Sequence, residues 1–239
     1  MIYGTIPAAG LGTRLQPLGF SKELALVGDR AVIEYLLERM VDAGIKKIFI
    51  VIDPDKLDIP RYLSTKSPYK ENLIYLIREK HSLADDLLAP VKFLKKTDVL
   101  YFGLPDTIWF PKNGFSVIKK QKGDVVLGLF STDHPENFGA VTTNNRNKII
   151  AIEDKDPKTK SKLIWGMGKI TVSAARTMLD LLPQSDKPED RLLSKALNLY
   201  KDKYHCLGIK LENSTYFDIG KKEDYKKAND FVEKHESFS

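Results

Sequence analysis

Apolar residues in the first part of the chain alternate between strand-like runs and a helical stripe. Residues 2–8 form a short, largely apolar run that leads into a glycine-bearing loop, which predicts a buried strand. Residues 31–43 repeat apolar side chains at the i, i+3, i+4 spacing of a helix, and Gly44 follows as a common helix C-terminal residue. Residues 47–52 are rich in β-branched side chains, as in a strand. This order predicts a βαβ unit and a parallel sheet covered on both faces.

The alternation continues along the chain and then changes. Helices are predicted near residues 83–95 and 116–120, and strands at 99–102 and 125–129. An Asn-Asn-Arg-Asn turn at 144–147 separates strand-like runs at 138–143 and 148–153, which predicts an antiparallel hairpin. Further helices are predicted at 173–182, 190–200 and 223–233, with strands at 204–211 and 215–219. We therefore expect one α/β domain over residues 1–239, with a mostly parallel sheet and a mixed C-terminal half.

The composition is that of a folded chain with room for a large core. Of 239 residues, 42% are hydrophobic and 29% charged, which excludes a disordered or collagen-like protein. Cys206 is the one cysteine, which excludes a disulfide framework and a cysteine-based zinc site and fits a reducing cytoplasm. The first ten residues lack a signal-peptide pattern, and no apolar run is long enough for a bilayer. We expect a cytoplasmic protein with no membrane partner.

The net charge of +6 favours anionic partners. The basic residues are spread along the chain in pairs such as Lys46-Lys47 and Lys221-Lys222. No block of like charge and no repeat of aromatic and basic residues indicates a nucleic-acid groove. We therefore expect no nucleic-acid partner, and a solvated lysine-rich surface is the simpler interpretation.

The loop after the first predicted strand has the composition of a phosphate-binding loop. Small residues and glycines at 8–12 let backbone N–H groups approach a phosphate chain closely. Arg14 can form a bidentate fork on phosphate oxygens, and Lys22 offers a movable point charge. The dinucleotide pattern G-x-G-x-x-G fails at Leu15, and the pattern G-x-x-x-x-G-K-[ST] is absent. The loop therefore matches neither of these common nucleotide motifs.

Three short strings in this region resemble the signature of the sugar nucleotidyltransferases. They are Ala-Ala-Gly-Leu-Gly-Thr-Arg-Leu at 8–15, Ser-Lys-Glu-Leu at 21–24 and Val-Ile-Glu-Tyr at 32–35. The resemblance extends from Ile6 to about Phe231 and implies a Rossmann-like three-layer fold. It also implies that an NTP and a sugar 1-phosphate are converted to an NDP-sugar and pyrophosphate, with Mg²⁺ as cofactor.

The resemblance assigns roles to the loop residues. It implies that Gly10, Gly12, Thr13 and Arg14 hold the β- and γ-phosphates, that Lys22 holds the α-phosphate, and that Arg14 and Lys22 are catalytic. The full set of expected nucleotide contacts is Ala8, Ala9, Gly10, Gly12, Thr13, Arg14, Lys22 and Ser82.

Later positions resemble the metal and sugar sites of the same family. Asp106 in Leu-Pro-Asp-Thr-Ile and Asp218 in Tyr-Phe-Asp-Ile-Gly are the expected Mg²⁺ ligands. Gly139 is expected to touch the sugar, Asp154 its hydroxyls and Lys155 its phosphate. Asp154 is one methylene shorter than the glutamate of the family pattern.

The base-reading region departs from the family pattern. Ser82 stands where the family has a glycine, and Ile77 where the thymidylyltransferases have a glutamine. The expectation of a pyrimidine base therefore rests only on the resemblance to the family as a whole. A non-catalytic nucleotide or NDP-sugar sensor, and a cytidylyltransferase acting on a non-sugar phosphate, remain alternatives, and a homo-oligomer remains open. Asp53-Pro54-Asp55 is interpreted as a capped turn rather than a metal motif.

Overall fold

The fold was established from a computed structural model, which describes residues 1–10, 19–79, 82–183, 187 and 192–236. The strands are β1 Ile2–Pro7, β2 Leu26–Val27, β3 Arg30–Ala31, β4 Ile48–Ile52, β5 Leu73–Ile77, β6 Val99–Gly103, β7 Thr107–Phe110, β8 Val125–Ser131, β9 Gly139–Thr143, β10 Ile149–Asp154, β11 Leu163–Thr171, β12 Cys206–Lys210 and β13 Thr215–Asp218. The helices are α1 Val32–Asp42, α2 Asp58–Lys66, α3 Leu83–Leu88, α4 Gly114–Lys119, α5 Val172–Leu181, α6 Leu193–Tyr200 and α7 Lys222–Glu236. Across these ranges, no helix has both the length and the apolar character needed to span a membrane.

The central sheet is mostly parallel and contains the predicted βαβ unit. Its order is β10-β9-β11-β6-β1-β4-β5, and β8 and β12 continue from β11. Strand β1 pairs in parallel with β4 and β6, and β4 pairs in parallel with β5. Strand β11 runs antiparallel to β6, β8 and β9, and the β9–β10 hairpin is also antiparallel. The α/β class, the parallel first half and the mixed second half are therefore confirmed.

Side chains of β4 show why the fold has three layers. All five residues of this strand are buried, as expected for a strand covered on both faces. Ile48, Ile50 and Ile52 belong to the core on the α1 side, whereas Phe49 belongs to the core that contains α3 and α5. Successive residues of a strand point to opposite faces, so one strand supplies both cores. The Rossmann-like three-layer expectation is confirmed.

Several elements are absent from the predicted pattern, and β11 is the most important of them. Its run Leu-Ile-Trp-Gly-Met-Gly-Lys-Ile-Thr contains two glycines, which weaken any strand signal. These glycines are required by packing, because a Cβ on Gly166 would lie 2.3 Å from the Tyr216 ring and one on Gly168 would lie 2.5 Å from Phe102. Close approach of rings from other strands therefore outweighs local strand propensity here.

Strand β7 was also missing from the predicted pattern, and it forms a small sheet with β13 beside the central one. A third apolar cluster, which includes Val27, Tyr35, Phe217 and Val232, packs helix α7 against this small sheet and α1. This packing holds the C-terminal helix α7 against α1 and against Val27 of β2 in the N-terminal half.

Candidate active site

The end of β1 places three expected nucleotide contacts at the edge of the sheet. Ala8 and Ala9 are fully buried, and the Ala8 N–H donates to Val51 O at 2.8 Å, which continues the β1–β4 pairing. Among the described residues, none lies within 4 Å of a Cβ added to Gly10, so this part of the protein leaves room in front of the Gly10 backbone. Such room in front of the backbone is what a phosphate-binding loop needs. The expected contacts Gly12, Thr13 and Arg14 lie outside the described residues.

Lys22 begins a short 3-10 helix, Lys22–Leu24, and forms an ion pair with Asp106. The preceding residue is anchored, because Asp58 accepts from both the backbone N–H and the hydroxyl of Ser21 at 2.6 Å. Burial alone would lower the pKa of Lys22, but the Asp106 carboxylate outweighs this effect and raises the pKa above its ordinary value. Lys22 is therefore a fixed positive charge at neutral pH.

Asp106 and Asp218 are brought together by the small β7–β13 sheet. Asp218 lies opposite Thr107 in this ladder, and the Ile219 N–H donates to the Asp106 carbonyl at 2.9 Å. Burial raises the pKa of Asp218, and the nearby Asp106 carboxylate raises it further. The two carboxylates therefore come together, Asp106 just after the carboxyl end of the central strand β6 and Asp218 at the end of β13 in the small sheet.

This carboxylate pair has the donor chemistry of a magnesium site. Mg²⁺ is usually held by one or two carboxylates, together with waters and substrate phosphates. Within the described ranges, no group of three or more His, Cys, Asp or Glu side chains is arranged to hold a metal. Burial and the neighbouring Asp106 carboxylate both disfavour the charge on Asp218, and a bound cation would relieve this cost. The residues therefore fit Mg²⁺, provided that substrate oxygens complete its shell.

The three expected sugar-phosphate residues lie together on the β9–β10 hairpin. Asp154 is directly opposite Gly139, and the Lys155 N–H donates to Phe138 O at 2.8 Å. Lys155 has a φ of 50°, in the left-handed region that side-chain-bearing residues seldom adopt. Partial burial raises the pKa of Asp154, and Lys155 partly offsets this effect. Asp154 is nevertheless exposed, so the hairpin presents an accessible carboxyl group beside a lysine.

Aromatic contacts connect this hairpin to the carboxylate pair. The Phe138 ring packs edge-to-face on Tyr216 with a centroid distance of 5.8 Å, and Tyr216 is two residues before Asp218. Position 139 has no room for a side chain, because a Cβ added to Gly139 would lie 2.3 Å from Trp165 Nε1. The residues expected to bind the sugar phosphate and the carboxylate pair are therefore linked through the contact between Phe138 and Tyr216.

Ser82 has a structural role at the start of α3. Its Oγ accepts from the Asp85 N–H at 3.1 Å and donates to Asp85 Oδ2 at 2.6 Å. Its hydroxyl is therefore committed to a helix cap. Ile77, at the end of the edge strand β5, is 56% exposed and offers no hydrogen bond to a base.

Residues 53–58 contain contacts that the sequence reasoning missed. The Asp53 carboxylate accepts from the Asp55 N–H at 3.0 Å, which confirms the interpretation as a capped turn. The same short segment then supplies Lys56 and Asp58, which contact the loop after β1 and Ser21. One signal could have indicated this: the turn directly follows β4, which is parallel to β1, so both carboxyl ends lie at one edge of the sheet.

Comparison with known proteins identifies relatives of the whole chain. A family model described as nucleotidyl transferase matches residues 3–235. A glucose-1-phosphate thymidylyltransferase from Neisseria meningitidis is 29% identical over 165 residues, which cover 66% of this chain and 57% of that protein. The bifunctional protein GlmU from Methanococcus aeolicus is 27% identical over 253 residues, which cover 96% of this chain and 54% of that protein. The chain thus spans about half the length of the curated relatives it matches.

A solved structure supports the architecture independently. The crystal structure of a Bacillus anthracis protein in complex with a sucrose superposes with a TM-score of 0.85 at 22% identity, covering 97% of this chain and 95% of that one. At this identity the likeness establishes a shared fold.

Proposed function

The chain belongs to the nucleotidyl transferase family, and from this premise we propose that it joins an NTP and a sugar 1-phosphate to form an NDP-sugar and pyrophosphate. The observation that carries the proposal is the constellation of Lys22, Asp106 and Asp218 beside the open backbone of Gly10. These residues come from distant parts of the chain and supply the charges that a phosphoryl reaction between two anions requires.

The chemical step needs no strong base. An oxygen of the sugar phosphate attacks the α-phosphorus in line, the bond between the α-phosphorus and the bridging oxygen to the β-phosphate breaks, and pyrophosphate leaves with the bond's electron pair. Because the nucleophile is already an anion, catalysis rests on positioning and on charge stabilisation. Lys22 would neutralise the α-phosphate, and Arg14 is expected to meet the charge that develops on the leaving pyrophosphate.

Asp106 and Asp218 would hold Mg²⁺, which lowers the repulsion between the two reacting phosphates when it is bound. Asp106 uses one carboxylate oxygen, Oδ2, for its ion pair with Lys22. Gly220 donates its N–H to Asp218 Oδ1 at 2.9 Å, which fixes the rotamer of the second carboxylate.

Gly139, Asp154 and Lys155 would bind the sugar 1-phosphate. The lysine side chain can pair with the phosphate, and the exposed carboxylate of Asp154 can accept from sugar hydroxyls. The name of the Neisseria relative suggests glucose 1-phosphate and dTTP as the first substrates to examine. We therefore propose a pyrimidine nucleoside triphosphate as the nucleotide substrate.

The alternatives predict different measurements. A sensor for a nucleotide or an NDP-sugar has no need for paired metal carboxylates, so the Asp106–Asp218 arrangement favours an enzyme. A cytidylyltransferase acting on a non-sugar phosphate would use the same nucleotide half but release pyrophosphate with CTP and a substrate such as phosphocholine.

The decisive experiment measures pyrophosphate release with each common NTP, Mg²⁺ and a panel of sugar 1-phosphates, with phosphocholine as an additional acceptor. We expect release with at least one sugar 1-phosphate and formation of the matching NDP-sugar by mass spectrometry. Asp106→Asn serves as the inactive control. Nucleotide binding without pyrophosphate release for any acceptor would favour the sensor and contradict the proposed reaction.

A further inference from the structure

Lys56 belongs to none of the motifs discussed above, yet its ammonium group contacts the candidate site at three points. Nζ donates to Ala8 O at 2.7 Å, to Gly10 O at 2.8 Å and to Glu23 Oε2 at 2.7 Å. The side chain is only 7% exposed. An ammonium group has three protons, so these acceptors use its whole donor capacity. Lys56 is therefore held as a fixed tripod and has no donor left for a substrate.

Two of these contacts set the direction of the backbone where the chain leaves the sheet. In a trans peptide the C=O of one residue and the N–H of the next point in opposite directions. Because Lys56 binds the carbonyl of Ala8, the N–H of Ala9 points away from Lys56. The carbonyl of Gly10 is held in the same way. The peptide groups that would face a triphosphate thus take their orientation from Lys56.

The third contact connects this loop to the catalytic lysine. Glu23 is 1% exposed and directly follows Lys22 in the sequence. Burial raises the pKa of the Glu23 carboxyl and lowers that of Lys56, and the attraction between the two charges opposes both effects. Asp58, two residues after Lys56, holds Ser21 on the other side of Lys22. One short segment therefore holds residues 8–10 and the residues on both sides of Lys22.

We propose that Lys56 is a positioning residue for the nucleotide, which fixes the peptide orientation of residues 8–10 after β1 and their spacing from Lys22. This inference rests on the proposed function in that it takes the loop to bind the triphosphate. Lys56 acts through the backbone carbonyls of Ala8 and Gly10, and its ion pair with Glu23 keeps its ammonium group in place.

The test compares Lys56→Met with Lys169→Met as a matched control. Lys169 is also a partly buried lysine that donates to backbone carbonyls, at 3.1 Å to Lys119 O and 2.8 Å to Gln121 O, but these acceptors lie at the end of α4. Both variants lose carbonyl contacts and are expected to melt at lower temperature. Only Lys56→Met should weaken binding of the Mg²⁺ complexes of ATP, GTP, CTP, UTP and dTTP, by about tenfold or more for those that the wild type binds. The KM for the sugar 1-phosphate should stay within about twofold of the wild type, the scatter expected when its own contacts are intact.

A second pair of variants separates the carbonyl contacts from the ion pair. Glu23→Gln keeps Lys56 and an oxygen acceptor, so nucleotide affinity should stay within about threefold of the wild type. The double variant Glu23→Gln with Lys56→Met removes the carbonyl contacts without leaving a buried carboxylate unpaired, so it replaces Lys56→Met if that variant does not fold. It should show the same loss of nucleotide affinity.

Calorimetric titration gives the affinities, and each outcome decides the inference. Equal nucleotide affinity in Lys56→Met and Lys169→Met overturns it, as does a loss in Glu23→Gln that equals the loss in Lys56→Met. A wild-type protein that binds nucleotide but releases no pyrophosphate refutes the proposed function alone, and the comparison of variants still decides the role of Lys56. A wild type that binds none of the nucleotides contradicts both.

Discussion

Replacement of Lys22 by methionine tests the electrostatic core of the proposed site. The change keeps the length and apolar stem of the side chain and removes its charge. Lys22 is 20% exposed and pairs with Asp106, which is 18% exposed, so water screens this charge only in part. Two unit charges about 4 Å apart attract by about 4 kcal/mol at an effective dielectric constant of about 20. Loss of one stabilising donor in an active site typically costs about 10²–10³ in kcat, or about 2.7–4 kcal/mol. The two magnitudes agree.

We therefore expect Lys22→Met to lower kcat for pyrophosphate release by about 10²–10³, with a smaller effect on nucleotide affinity. The assay measures initial rates at saturating nucleotide and sugar 1-phosphate, and calorimetry measures nucleotide binding separately. Lys119→Met is the control, because Lys119 is a lysine that donates to a backbone carbonyl, Ala43 O at 2.9 Å, away from the proposed site. A kcat for Lys22→Met within twofold of the control variant would show that Lys22 does not act on the reacting charge.

Three further predictions concern the metal site, the sugar wall and the pH dependence of stability. Asp218→Asn removes a carboxylate whose pKa is raised by burial and by Asp106, so the melting temperature should not fall. Mg²⁺-dependent turnover should drop by about 10²-fold or more. A clear drop in melting temperature would indicate a structural role for Asp218 instead. Gly139→Ala places a Cβ 2.3 Å from Trp165 Nε1, so urea unfolding should show a loss of about 1–3 kcal/mol and the KM for sugar 1-phosphate should rise; an unchanged unfolding midpoint contradicts this packing argument. Burial disfavours the Glu38 carboxylate, but its hydrogen bond with Arg30 at 3.0 Å and the positive charges of Arg30, Lys112 and Arg39 together outweigh burial and lower its pKa. The resulting stabilisation is present above the ordinary carboxyl pKa and is lost as the pH falls through the lowered value. Glu38→Gln should therefore cost about 0.5–1 kcal/mol in urea unfolding at pH 7 and much less near pH 3, and an equal loss at both pH values refutes the linkage.

The sequence pattern predicts an element well where burial on both faces leaves a continuous signal. The five apolar residues of β4 and the apolar stripe of α1 are such cases, and both elements lie where the pattern predicts them. Strand β11 is the opposite case, because Gly166 and Gly168 are required by rings from neighbouring elements. Those rings come from Tyr216 and Phe102, which are distant in sequence. No local periodicity contains this information.

The candidate site shows the same division between local and distant information. The loop after β1 and Lys22 carry a local motif, and the resemblance alone supplied Asp106 and Asp218. Lys56 carries no motif, since a lysine after a Pro-Asp turn is ordinary in sequence. Its three acceptors, Ala8, Gly10 and Glu23, become visible only when β1 and β4 are paired in parallel and their carboxyl ends meet. A positioning residue is recognised by what it touches.

The C-terminal helix explains how the two halves of the site are held in register. On α7, the Tyr225 hydroxyl donates to Leu26 O at 2.5 Å, and the Asn229 side chain accepts from the Gly28 N–H at 3.0 Å. The β2–β3 turn that these contacts hold follows Lys22 directly, and Asp218 lies just before α7. Because the helix is tied to the segment after Lys22, the carboxylate of Asp218 and the ammonium of Lys22 are fixed relative to each other through one short path. A reaction that depends on charge placement gains from such a path, since a displacement of about 1 Å can cost about a hundredfold in rate. The contacts of α7 with β2 therefore belong to the construction of the site as well as to the stability of the fold.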